Sequence, residues 1–290
     1  MTSLRPTAAG SPAPGASPGA TLPRVVATDL DGTLLRRDGT VSARSRAALV
    51  AAEAAGIEVV FVTARPARAL AHLTHLVGGH GHAICFGGAA VWDLASACAL
   101  ETWGFEDAAV GELVDGLRTA MPDVALAVER ADGPSFDPHF VVSPAFVEPG
   151  MTDERRAVPI EKTLGGEPVL KLLARSDATD PVVLQEVAAR VAGVRANLAY
   201  SGAVGLAELV APEVTKSAAL ARWCARLGVE AADVWAFGDM PVDLPMLEWA
   251  GRGLAVANAH ADVLARASGV VPSNDEDGVA VAIEAVLAGR

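Results

Sequence analysis

Apolar and polar positions follow two rhythms along this chain, and the change from one to the other marks its elements. Val25-Val26-Ala27 is a short unbroken apolar run closed by the turn residues Asp31-Gly32, the pattern of a strand covered on both faces. Ser42 is placed to cap a helix over 43–55, with Gly56 as its stop. The run Ile-Glu-Val-Val-Phe-Val at 57–62 predicts a second strand ending at Thr63, and Pro66 suits the first turn of a helix reaching Val77. The same rhythm returns late. Thr215 caps a predicted helix over Lys216–Leu227 stopped by Gly228, and strands are expected at 234–237, 254–256 and 270–271. Helices are expected at 243–250 and 279–287. Between about 88 and 210 the texture is different: short runs punctuated by Gly and Pro, with clear helical patterns only near 108–120 and 182–191. The expectation is an α/β fold. A doubly wound, Rossmann-like parallel sheet core is formed by residues 24–87 plus 211–290, and an α+β segment, 88–210, is inserted into it.

Composition narrows the classes open to such a fold. Apolar residues are 51% of the 290 and charged ones 20%, enough for a sizeable core; aromatics are only 4%, so that core is mainly Ala, Val and Leu. Thirty-five acidic against 23 basic side chains leave a formal charge of −12, which argues against general binding to nucleic acid or to an anionic membrane surface. Three cysteines, Cys85, Cys98 and Cys224, without CxxC spacing, suggest free thiols in a reducing cytoplasm. The long uncharged stretch from Ala69 to Trp92 holds four histidines and five glycines, unlike a lipid-facing helix. Residues 1–23 are rich in Pro, Gly, Ala and Ser and lack the basic start and apolar run of a secretory leader; they are expected to be a disordered tail.

Ligands of open parallel sheets bind beyond the carboxyl ends of the strands, so the residues delivered there carry the chemistry. The first strand ends in Thr28-Asp29-Leu30-Asp31-Gly32-Thr33, the second in Thr63-Ala64-Arg65, and the late one in Gly238-Asp239 with Asp243 four residues on; Lys216 opens the helix before that strand. Carboxylates gathered at one point repel unless a cation lies among them, and hard oxygen donors suit Mg²⁺. An Asp can also attack phosphorus while a second carboxyl manages the leaving-group proton, and a hydroxyl and an ammonium hold the equatorial oxygens. Lysine is scarce, Lys162, Lys171 and Lys216 against twenty arginines, which suggests positions where a compact ammonium is needed.

Asp29-Leu30-Asp31-Gly32-Thr33 resembles the DxDGT signature of the haloacid dehalogenase superfamily. Thr63, Lys216 and Gly238-Asp239-x-x-x-Asp243 resemble its second, third and fourth motifs in order. The long insertion between motifs two and three is similar to that of the Cof-type branch, in which it forms an α/β cap. Segments 256–259 and 273–279 also resemble that branch. The resemblance covers Arg24 to the C-terminus and implies a Mg²⁺-dependent phosphatase acting on a small phosphorylated metabolite, a sugar phosphate or nucleotide-like ester, through an aspartyl-phosphate. On that basis Asp29 would be the nucleophile. Asp31 would be the general acid/base and lend its backbone carbonyl to the metal. Thr63, Lys216 and Leu30 would bind phosphate, and the metal site would comprise Asp29, Asp31, Asp239 and Asp243. The cap would choose the substrate. Two positions depart from the pattern: Val242 stands where the fourth motif has Asn, and Ala64 where the second has Gly. Asn258 is a candidate to compensate for the lost amide, and Arg65 a candidate contact to substrate or phosphate.

Plainer readings compete with these. Asp29 and Asp31 could be turn residues, since Asp-Gly is a common turn pair, but three further motifs in register disfavour that. A cation at a helix start opposes the dipole by roughly 0.3–1 kcal/mol, so Lys216 points to function rather than to a solvated surface. His72, His75, His80 and His82 invite a transition-metal site, although separate surface histidines are the simpler reading. His139, Arg130 and Arg175 in the insertion are candidates to read the leaving group. Two alternative functions stay open at this stage, a phosphomutase and a phosphate-binding protein whose catalysis has decayed, the latter suggested by Val242.

Overall fold

The computed structural model describes residues 22–76, 81–140, 158–199 and 205–289. Strand β1 (Val25–Thr28) is followed by helix α1 (Ala43–Ala54) and β2 (Glu58–Val62), then by β3 (His82–Cys85), β4 (Ala90–Asp93) and β5 (Cys98–Thr102). Helix α2 (Asp107–Ala120), strands β6 (Ala125–Arg130), β7 (Gly133–Phe136) and β8 (Lys171–Arg175), helix α3 (Pro181–Ala192), and strands β9 (Asn197–Ala199) and β10 (Leu206–Val210) follow. The chain then runs through α4 (Lys216–Leu227), β11 (Val234–Gly238), α5 (Leu244–Trp249), β12 (Arg252–Val256), α6 (Ala261–Arg266), β13 (Gly269–Val271) and α7 (Gly278–Ala288).

Two sheets result. The larger has the order β13-β12-β11-β1-β2-β3-β4-β5, and its strands from β13 through β3 are parallel. Alternate residues of its central strands face two helical layers. Val26, Val59 and Phe61 pack with Leu49 of α1 and Ile283 of α7, whereas Val25, Ala27, Val60 and Val62 pack with Leu220 of α4 and Met246 of α5. Burial on both faces explains why these strands read as continuous apolar runs. The helix signals act as expected: Ser42 Oγ accepts from Ser45 N at 2.9 Å, Thr215 Oγ1 accepts from Ala218 N at 3.0 Å, and Gly228 closes α4 in the left-handed region.

Two elements differ from the sequence expectation. Residues 90–102, which the boundary at 88 assigned to the insertion, extend the large sheet as the antiparallel strands β4 and β5. Sheet membership depends on pairing with β3, which no local pattern reports. The helix expected from Pro66 is a succession of 3₁₀ turns, Ala67–Leu76, beginning with a three-residue bond from Ala69 N to Pro66 O.

The smaller sheet, β7-β6-β8-β10-β9, is antiparallel throughout. One face, through Leu126, Val128, Leu172, Ala174 and Leu209, is buried with Leu113 of α2 and Leu184 of α3. By alternation the other face carries Glu129, Lys171 and Glu208, and it meets the large sheet's loops: Arg68 grips Glu129 with two N–H donors at 2.6 and 2.7 Å, and Lys171 Nζ donates to the Ala64 carbonyl at 3.1 Å. The inserted sheet therefore sits directly over the loop that follows β2.

Candidate active site

The order β11-β1-β2 places the ends of these three strands side by side, at the crevice where the sheet winds in both directions. Asp29 leaves β1 with its N–H bonded to Phe237 O of β11 at 3.0 Å, so its carboxylate emerges beside that of Asp239. Lys216, the first residue of α4, is buried and its ammonium bridges two carboxylates, donating to Asp29 Oδ1 at 2.6 Å and to Asp243 Oδ1 at 2.7 Å. Asp243 uses its second oxygen to accept from the N–H groups of Asp239 and Met240, at 3.2 and 3.0 Å. Thr33 Oγ1 donates to Asp239 Oδ1 at 2.8 Å. The DxDGT turn thereby reaches across to the fourth motif.

Asp29, Asp239 and Asp243 are all buried and each offers a carboxylate oxygen within 4.8 Å of the others. One ammonium faces three carboxyl groups, and the acidities record the imbalance. Burial pushes Asp29 up to about 7 against the attraction of Lys216, with Asp243 and Asp239 adding to the rise. Burial likewise pushes Asp239 up to about 6, opposed by the hydrogen bond from Thr33. Burial works to lower Lys216, but the charges of Asp29 and Asp243 outweigh it and hold the ammonium above its ordinary range. A compact set of hard oxygen donors short of positive charge fits a divalent cation of the Mg²⁺ kind.

Close backbone approach makes this packing achievable. A Cβ at Gly32, whose φ is +79°, would lie 2.5 Å from Asp239 Oδ2, and one at Gly238 would lie 2.6 Å from Asp243 Cβ. Any side chain at either position would drive into the carboxylates.

Asp31 takes a different direction. Its carboxylate is half exposed and is held in a two-point fork by Arg65, Nε to Oδ2 at 2.8 Å and Nη2 to Oδ1 at 2.5 Å. It stands apart from the three clustered carboxylates, so a metal contact from Asp31 would fall to its backbone carbonyl. Thr63 is buried one strand over, its hydroxyl accepting from Arg65 N at 3.1 Å. The Leu30 side chain is buried in the apolar core, so only its backbone could meet a phosphate.

This architecture, a doubly wound sheet with carboxylates and a lysine at its strand ends and an inserted antiparallel sheet above them, defines a capped α/β phosphohydrolase. The chain belongs to the haloacid dehalogenase-like hydrolases, whose family model matches residues 26–283, and within them to the Cof-type branch. It is similar to the putative phosphatase YxeH of Bacillus subtilis, 31% identical over 91% of this chain and 99% of that one. It is also similar to the pyridoxal phosphate phosphatase YbhA of Escherichia coli, 27% identical over 89% of this chain and 96% of that one. A haloacid dehalogenase-like hydrolase from Bacteroides thetaiotaomicron has the same fold, with a TM-score of 0.75 at 24% identity over 91% of this chain and 99% of that one. The chain is thus a hydrolase, and its relatives are phosphatases.

Other residues singled out in the sequence take structural places. Asn258 spends both ends of its amide on backbone, donating to Gly32 O at 2.7 Å and accepting from Asn274 N at 2.9 Å. It braces the turn beneath Asp31. Val242 lies 46% exposed in a 3₁₀ turn and makes no demand on the carboxylates. Arg130 faces the interior of the insertion, where it donates to Thr163 O and Glu167 O, and Arg175 pairs with Asp177; His139 is exposed. His82 is within 2.6 Å of Glu58 and its ring lies 4.6 Å from that of Trp223. The side chains of His72 and His75, and all of His80, lie outside the described residues, as does the tail up to residue 21. Cys85, Cys98 and Cys224 are free. No helix among the described residues is long and apolar enough to cross a membrane. Sequence reasoning assigned no role to Thr33 or Lys171. Thr33 was legible as part of DxDGT, and Lys171 only as one of three lysines.

Proposed function

We propose that this protein is a Mg²⁺-dependent phosphomonoesterase that works through an aspartyl-phosphate on Asp29. The observation that carries the reading is the buried set of Asp29, Asp239 and Asp243 with the Lys216 ammonium between two of them. Asp29, Asp239 and the Asp31 carbonyl would hold Mg²⁺, with Asp243 fixing Lys216 and the 239–240 backbone; when bound, the metal neutralises phosphate charge and keeps Asp29 ionised.

The residues divide the remaining work. An Asp29 oxygen attacks phosphorus in line as the ester P–O bond breaks, and the leaving alkoxide takes its proton from the Asp31 carboxyl. Asp31, now a carboxylate, removes a proton from the water that cleaves the aspartyl-phosphate, which returns Asp29 and releases inorganic phosphate. Thr63, the Leu30 backbone and Lys216 hold the equatorial oxygens. Arg65, which grips Asp31 in the resting site, exchanges that carboxylate for the substrate phosphate and so frees Asp31 for proton transfer. The inserted sheet covers the site and selects the leaving group, a small sugar or nucleotide-like moiety. The free cysteines suit a reducing cytoplasm.

Phosphate release from sugar phosphates, nucleotides, pyridoxal phosphate and p-nitrophenyl phosphate, with Mg²⁺ or with EDTA, tests the reading. Turnover that needs Mg²⁺ and disappears in Asp29→Asn is expected. Full turnover by Asp29→Asn would overturn the covalent mechanism, and Mg²⁺-dependent phosphate binding without any turnover would favour a binding protein.

A further inference from the structure

We infer that Lys171, on the inserted sheet, is a positioning residue for the phosphate-binding loop: its ammonium holds the Ala64 carbonyl and so ties the placement of Thr63 and Arg65 to the seating of the cap. The inference rests on the phosphatase reading and adds to it a residue outside the four motifs.

The loop after β2 presents three successive carbonyls. Those of Thr63 and Arg65 accept from the N–H groups of Gly87 and Phe86, both at 2.9 Å, within the core. The one between them, Ala64, accepts from Lys171 at 3.1 Å, a side chain of the cap. The peptide unit between the phosphate-binding hydroxyl and the arginine that grips Asp31 therefore takes its support from the other domain. Once the cap lifts, that carbonyl loses its partner while its two neighbours keep theirs.

Stability alone does not account for an ammonium here. Lys171 and Glu208 are 5% and 4% exposed at the side chain, with Nζ 2.5 Å from Glu208 Oε2. A buried ion pair of this kind is on average no more stabilising than a well-packed apolar pair of similar volume. Glu208 lies opposite Leu173 on β10, diagonal to Lys171 on the same face, so it aims the ammonium without reaching the core itself. What a lysine supplies and a methionine lacks is a donor directed at Ala64. Of the three lysines in the chain, Lys216 and Lys171 are the buried ones, and both point their ammonium at the strand ends that build the site. The second cap-to-core fastening, Arg68 to Glu129, starts three residues beyond Arg65 and holds the same loop from its far side.

The test compares wild type, Lys171→Met and Lys171→Arg with p-nitrophenyl phosphate and a sugar phosphate in Mg²⁺, together with calorimetric binding of inorganic phosphate. Loss of one well-placed hydrogen bond predicts that KM and the phosphate dissociation constant both rise about fivefold to tenfold in Lys171→Met. The factor is expected to be the same for both esters, with kcat less affected and much of the loss recovered in Lys171→Arg. Unchanged phosphate affinity would overturn the inference. A factor that differs between the esters would also overturn it, since it would make Lys171 a contact to the leaving group. Should Lys171→Met fail to fold, Lys171→Met with Glu208→Leu replaces the whole pair by apolar groups and still removes the donor. If wild type hydrolyses neither ester, the phosphatase reading falls, and the phosphate-binding comparison still decides the role of Lys171.

Discussion

Replacing Lys216 with methionine removes the one ammonium among the clustered carboxylates while keeping a stem of similar length. Two buried ionic hydrogen bonds, at 2.6 and 2.7 Å, disappear, and Asp29, Asp239 and Asp243 are left within 4.8 Å of one another with no countercharge. Breaking a buried pair by deleting one partner typically costs about 3–5 kcal/mol. At about 2–4 °C per kcal/mol this lowers the thermal midpoint by roughly 6–20 °C. The loss depends on pH with a defined sign. The folded-state acidity of Asp29 is raised to about 7, so the folded protein keeps a proton that the unfolded chain gives up from about 4 upward. Stability therefore falls as pH rises through that window. Lys216 lowers the pKa of Asp29, so without it the proton is held to still higher pH. The variant should be close to wild type near pH 5, where Asp29 is protonated in both, and should show its full deficit near pH 8. Thermal unfolding followed by circular dichroism in EDTA at the two pH values measures this. Equal losses at both pH values, or a loss near pH 8 below about 1 kcal/mol, would refute the assignment of Lys216 as the countercharge of the cluster.

Metal binding should carry the same signature: because Asp29 and Asp239 keep protons up to about 7 and about 6, Mg²⁺ uptake should release protons and weaken as pH falls from 8 to 5. Calorimetric titration in buffers of different ionisation enthalpy checks both. Gly238→Ala would bring a Cβ within 2.6 Å of Asp243 Cβ and displace that carboxylate from its backbone donors. It should destabilise by about 1–3 kcal/mol and weaken Mg²⁺ by about tenfold or more, read by denaturant unfolding and by metal titration. Asn258→Ala should cost about 1–2 kcal/mol through its two backbone bonds. Its KM should stay within about twofold of wild type, since both amide ends are occupied by Gly32 and Asn274. A large KM effect would instead make Asn258 a substrate contact.

Much of the core was legible from local chemistry. Thr215 and Gly228 bound α4 where the sequence places a cap and a stop, because both act within one turn of chain. Apolar runs at 25–27 and 57–62 became central strands because a strand buried on both faces tolerates little else. Nonlocal pairing was not legible in the same way. The β4–β5 hairpin joins the large sheet although its composition resembles the insertion, and its partner β3 is chosen by register and packing. Arg130 and Arg175 looked equivalent as candidate ligands. Strand alternation turned Arg130 toward the insertion's interior, and a local pair with Asp177 engaged Arg175. Val242, in place of the customary asparagine, looked like a loss at the site, yet the turn carries it outward.

By itself the sequence determined the class of chemistry and the order of its parts: carboxylates, hydroxyl and lysine at successive strand ends, in a register that local signals could place. Only the tertiary structure decided which of those groups share an environment. Asp29, Asp239 and Asp243 converge on Lys216 from segments as much as 214 residues apart in number, while Asp31, two residues from Asp29, turns away to Arg65. Burial then sets the acidities, because desolvation and neighbouring charge depend on distance through the fold and not along the chain. For the same reason the cap lysine that reaches Ala64 carried no motif: its partners are a carbonyl and a carboxylate brought to it by two different sheets.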